Sequence, residues 1–78
     1  MKCTPYFAFV RMRSDRRWIR EEWIEHVIRN PRRIVRQSDG RIRCWAPIRE
    51  AEDRMLRVVL LADGQTVHNA FFDRRAKP

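Results

Sequence analysis

Apolar residues recur at helical spacing in the first part of the chain and alternate with polar ones in the rest. Thr4-Pro5 offers an N-cap followed by a proline suited to the first helical position. Tyr6, Phe9, Val10 and Arg13 follow at helical intervals, which predicts a first helix reaching about Arg13, with Ser14-Asp15 as its break. A second helix is written more plainly. Ile19, Trp23, Ile24, Val27 and Ile28 make one apolar stripe, and Glu21, Glu22, Glu25 and Arg29 lie on the other face. Glutamates at its start and Arg29 at its end suit the helix dipole, and Asn30-Pro31 stops it.

After Pro31 the pattern is that of strands. Ile34 to Gln37 runs into Ser38-Asp39-Gly40-Arg41, and Asp-Gly signals a two-residue hairpin turn. Ile42, Cys44, Ala46 and Ile48 alternate with Arg41, Arg43 and Trp45. Glu50 to Asp53 reads as a loop, Arg54 to Ala62 as a strand, Asp63-Gly64 as a second hairpin turn, and Gln65 to Phe72 as the last strand. The expected fold class is α+β: two N-terminal helices packed on one face of a four-stranded antiparallel sheet, in the order α-α-β-β-β-β. One domain spans 1–78, with a helical layer over 1–31, an antiparallel sheet over 32–73 and a polar tail over 74–78.

Two-residue turns fix registers, because directly opposed residues share a face. In the second hairpin Leu60 would face Val67, Val58 would face Asn69 and Leu56 would face Phe71, giving the side that meets the helices. Val59 would oppose His68 and Arg57 would oppose Ala70 on the other side, with Arg57 and His68 as diagonal neighbours. In the first hairpin Val35 would pair with Cys44, Arg36 with Arg43 and Ile34 with Trp45. Arg36, Arg41, Arg43, Trp45, Arg57 and His68 then share an open face. The expected core is Trp23, Ile24, Val27, Ile28, Leu56, Val58, Leu60, Val67 and Phe71.

Charge sharpens this picture. The formal net charge is +8, and all but two of the 18 basic residues are Arg, the exceptions being Lys2 and Lys77. Guanidinium grips phosphate or carboxylate bidentately and stacks on aromatic rings. Guanidiniums for phosphates, Trp45 for stacking a base and His68 for proton transfer suit single-stranded RNA. A solvated charged face, with Trp45 packed under Tyr6 or the tail, is the plain structural alternative. Cys3 and Cys44 have no metal-ligand spacing and read as reduced thiols; neither a metal nor another cofactor is expected. The start, Met1-Lys2-Cys3-Thr4-Pro5, lacks a secretory apolar run, so the expected compartment is cytoplasmic and no membrane partner is implied.

The stretches Arg54 to Leu61 and Asp63 to Arg75 resemble the C-terminal signature of small bacterial proteins grouped as domain of unknown function 4258. Trp23 to Pro31 and Asp39 to Arg43 are similar to that group as well, so the resemblance covers nearly all of the chain from Ile19 on. It implies kinship with the RelE- and BrnT-like toxin superfamily, whose members cleave RNA on an open sheet face and are silenced by an antitoxin. By that analogy Arg57 would stabilise the transition-state phosphate, His68 would act as general acid or base and Arg43 would hold a flanking phosphate. An acidic antitoxin protein would then be a second partner beside RNA. The chain departs from those toxins in having no Lys in the sheet and Tyr6 as its only Tyr. Three functions are therefore expected to compete: a metal-independent ribonuclease, a non-catalytic nucleic-acid-binding protein, and an adaptor whose basic face binds an acidic protein.

Overall fold

Thr4 caps the first helix as its place before Pro5 requires, its hydroxyl accepting the Phe7 N–H at 3.1 Å. In the computed structural model, which describes residues 1–77, this helix, α1, spans Pro5–Val10. It stops three residues short of the expected end. The chain then runs through successive turns to Ile19, held by bonds such as Arg17 N–H to Arg13 O and by the Trp18 indole donating to Asp15 O. Helix α2 spans Glu21–Arg29, with Glu21 and Glu22 in its first turn and Trp23, Ile24 and Val27 buried.

The strands are β1 (Arg33–Arg36), β2 (Ile42–Ile48), β3 (Arg54–Leu60) and β4 (Val67–Phe72), and they form one antiparallel sheet in sequence order. A short 3-10 turn, Arg49–Ala51, joins β2 to β3. Phe7, Ile24 and Val27 pack with Leu56, Val58, Leu60, Val67 and Ala70 in the core on the helix side of the sheet. The edge of β4 is closed by the N-terminal segment: Cys3 bridges Val67, with Thr4 N–H on Val67 O and Val67 N–H on Lys2 O at 2.9 Å each. Pro78, the last residue of the expected tail, lies outside the described residues. Cys3 and Cys44 are free, and burial pushes the Cys44 thiol up while Arg36 nearby pulls it back. Among the described residues no helix is long and apolar enough to cross a membrane.

Two registers differ from expectation, each for a physical reason. A two-residue turn of the expected type needs positive φ at both central residues. Only Gly40 has it, at +93°. Asp39 instead turns its carboxylate onto the Arg41 N–H at 3.0 Å, and Gln37 bonds Arg41 across a three-residue loop. The pairing therefore slides by one, so that Ile34 opposes Cys44, Val35 opposes Arg43 and Arg36 opposes Ile42. Arg36 thereby leaves the open face for the helix side.

The second change lies in β4. Val67 and Ala70 are both buried in the helix-side core although three residues apart, which strict alternation forbids. A bulge inserts one extra residue at His68, between the pairs Leu60–Val67 and Val59–Asn69. Beyond it Arg57 opposes Phe71 and Leu56 opposes Phe72, so Phe72 packs against the core and Phe71 moves to the open face. Ile28 is only partly buried at the core's margin. Ile24→Ala or Leu56→Ala should each cost about 2–5 kcal/mol in urea unfolding, and Ile28→Ala distinctly less.

Candidate nucleic-acid interface

The open face is organised by one row of directly opposed residues. Arg33 pairs with Trp45, Trp45 with Arg57, and Arg57 with Phe71, one residue from each strand. Cation and aromatic ring alternate along it. The Arg33 guanidinium lies 4.9 Å from the Trp45 ring centre, and that of Arg57 lies 5.5 Å from Trp45 and 5.2 Å from Phe71. Arg16, from the connection between α1 and α2, ends the row 5.2 Å from Phe71. It is fixed there by bonds to the Asn69 side chain at 2.8 Å and to Ala70 O at 3.3 Å. Each such contact contributes about 0.5–1 kcal/mol when exposed and more when desolvated.

Asp73 pins the row from the end of β4. Its carboxylate accepts the Trp45 indole N–H at 3.0 Å and approaches the Arg57 guanidinium at 3.8 Å. The indole bond, with help from the Arg75 N–H and Arg57, holds the Asp73 carboxyl below the usual range despite burial. Trp45 is 4% exposed. It cannot offer a face to a base, and the expectation that it would stack one is corrected: it is the hydrophobic floor of the arginine row.

Beside this row runs a second, in which Val35 opposes Arg43, Arg43 opposes Val59, and Val59 opposes Asn69. Arg43 and Arg57 are diagonal neighbours. Burial and then the charge of Arg43 lower the Arg57 pKa, with Asp73 opposing. The Nε atoms of both arginines are buried without an acceptor, and Arg43 has no carboxylate partner among the described residues. Two crowded guanidiniums, only one of them paired with a carboxylate, make this the part of the face where a further anion is most favoured.

His68 sits apart. The bulge puts it three residues from Phe71, the partner of Arg57, so it lies a step farther from Arg57 than an unbulged hairpin would place it. Its surroundings come from the N-terminus: Tyr6 stacks on the ring with centres 5.0 Å apart, and Thr4 Oγ1 lies 3.1 Å from Nδ1. Burial, then the positive charge of Arg41, lowers its pKa, so the imidazole is neutral at pH 7. The Thr4 oxygen also accepts the Phe7 N–H, and the His68 tautomer sets the direction of the Thr4–Nδ1 bond. With the hydroxyl donating to Nδ1, Nε2 carries the hydrogen and donates; with Nδ1–H donating to Thr4, Nε2 is free to act as a base.

Of the six expected site residues, Arg41, Arg43, Arg57 and Trp45 share the open face with His68 at its margin, and Arg36 is excluded. No family model, curated protein or solved structure matches the chain. Arg16, Arg33, Phe71 and Asp73 were missed. The acid just past the last strand was the one readable hint of a counter-charge.

Trp45→Phe should cost about 1.5–3 kcal/mol, the range for a hydrogen bond to a charged group. Because folding depresses the Asp73 pKa, its contribution is complete above about pH 4 and is lost as pH falls through the folded-state value. Acid titrations of stability should thus fall less steeply below pH 4 in Trp45→Phe than in the wild type.

Proposed function

We propose that the protein binds single-stranded RNA across the open face of its sheet, with Arg43 and Arg57 holding phosphate. The crowding of these two guanidiniums, of which only Arg57 has a carboxylate partner among the described residues, carries this reading. A phosphate oxygen within reach of both would offset repulsion that Asp73 only partly compensates. Arg33, Arg41 and Arg16 extend the positive surface to either side, and His68, with Nδ1 accepting from Thr4, would present an Nε2–H donor at its edge. Helices preceding an antiparallel meander also agree with the RelE-like arrangement implied by the resemblance, which supports the same ligand by analogy.

Cleavage of the bound RNA is a second reading, favoured by one observation: a neutral, half-exposed imidazole beside Arg41. His68 would take the 2′-hydroxyl proton in its Nδ1–H tautomer, and Arg41 rather than Arg57 would be the adjacent cation. Incubation with RNA in EDTA tests it. Cleavage that His68→Ala abolishes and a 2′-deoxy substitution blocks would support it; intact RNA would leave binding alone.

Affinity for a labelled oligoribonucleotide, followed by anisotropy, should fall linearly on a log–log salt plot, with a slope of about 0.7 per phosphate engaged. Arg43→Glu should weaken binding and reduce that slope by about one. Arg29→Glu, at the end of α2, should do neither. Equal effects from both variants, or equal displacement of RNA by polyglutamate and polyphosphate, would contradict a phosphate-holding face.

A further inference from the structure

Trp45 is covered and offers no indole to a base on the face just described. The chain does carry an exposed indole elsewhere. Trp18, between the two helices, is 44% exposed and stacks on Phe72 with ring centres 5.0 Å apart and planes 14° from parallel. Arg54 lies 5.3 Å from the Trp18 ring and 5.2 Å from Phe72. Trp23 lies 6.1 Å and 6.2 Å from the same two rings, edge-on to both. A group equidistant from two stacked rings flanks the stack, so neither Arg54 nor Trp23 covers the outer face of the indole.

Trp18 also lines a cleft of about 420 Å³ between this connection and the end of β4, a size usual for small-molecule sites. Arg16, Arg54 and Arg74 stand around it, with Phe71 in its wall. Asp15 is there too, but Arg13 at 3.5 Å and Arg16 at 3.6 Å engage it. Arg54 donates through Nε to Ala51 O, and Arg54 and Arg74 have no carboxylate partner among the described residues. Arg16 and Phe71 belong both to this cleft and to the end of the arginine row, so the two sites are continuous.

We propose that this cleft is a nucleotide subsite, in which Trp18 stacks a base and Arg54, Arg74 and Arg16 hold its phosphate. A planar ring beside an anion is the chemistry that an exposed indole ringed by guanidiniums recognises. The proposal rests on the RNA-binding reading for its source of nucleotide, a strand that leaves the arginine row past Phe71. A free nucleoside monophosphate carries the same chemistry and is the other source.

The experiment measures binding of a short oligoribonucleotide, the same strand with one abasic position moved along it, and adenosine monophosphate. Wild type, Trp18→Phe, Trp18→Ala, Arg74→Gln and Arg43→Glu are compared, with circular dichroism reporting the fold. Trp18→Ala should weaken the oligonucleotide about tenfold, Trp18→Phe should keep most of the affinity, and Arg74→Gln should lose part of it. One abasic position should weaken the wild type by a similar factor and leave Trp18→Ala unaffected. If Trp18→Ala unfolds, the Arg74→Gln loss and the abasic scan decide. Loss of RNA binding in Arg43→Glu with no abasic effect at any position overturns the subsite while the open-face reading stands. Saturable adenosine monophosphate binding that Arg74→Gln weakens, without RNA binding, keeps the subsite for free nucleotides and overturns the RNA reading. Binding of neither ligand overturns both.

Discussion

The row Arg33–Trp45–Arg57–Phe71–Arg16 is the constraint on which the open face depends. A small sheet with helices on one side must still cover the apolar residues it presents on the other. Trp45, Met55 and Val59 lie outside the helix-side cluster yet are buried. Trp45 is covered not by a further layer but by the guanidiniums of Arg33 and Arg57 beside its ring and by Asp73 at the end of β4, whose N–H also bonds Met55 O. Arg57 lies between two aromatic rings, so it cannot be removed without exposing both. The same side chains that make the surface basic also close it against water.

This double role explains why the face is so rich in Arg. Lysine offers a point charge on a flexible stem and covers a ring poorly, whereas guanidinium stacks and still projects donors outward. Stability and anion affinity are therefore coupled at Arg57, but separable at Arg43, which has no ring contact in the row. Asp73 keeps the arrangement from flying apart by binding the indole and one guanidinium, and it leaves the rest of the charge for a ligand.

Helix α2, the four strands, their order and most of the helix-side core were legible from periodicity, because apolar stripes and Asp-Gly turns are local signals. The faces of β2 and β3 were legible too, but those of β1 and the end of β4 were not, because one residue of register exchanges them. At the first hairpin the loop length hinged on φ at Asp39, whose carboxylate prefers the Arg41 N–H to a left-handed backbone. At the second, the bulge at His68 coincides with the place where Cys3 bridges Val67 and where Thr4 and Tyr6 hold the imidazole. That is a contact across more than sixty residues of chain, and nothing near His68 in the sequence announces it. Arg16 and Trp18 were overlooked for a similar reason: they sit in a break between helices, and only tertiary packing against β4 gives them a place.

The central claim, that phosphate is held on the sheet face opposite the helices, is tested most directly by an NMR titration of the protein with a short single-stranded oligoribonucleotide. The account predicts that shifted amide and guanidinium signals cluster on Arg33, Arg43, Arg57, Val59 and Asn69 and reach Arg16 and Phe71, while Glu25, His26 and Arg29 stay unmoved. Shifts centred on α2 or along Arg36 and Ile34, or shifts scattered over every arginine alike, would contradict it.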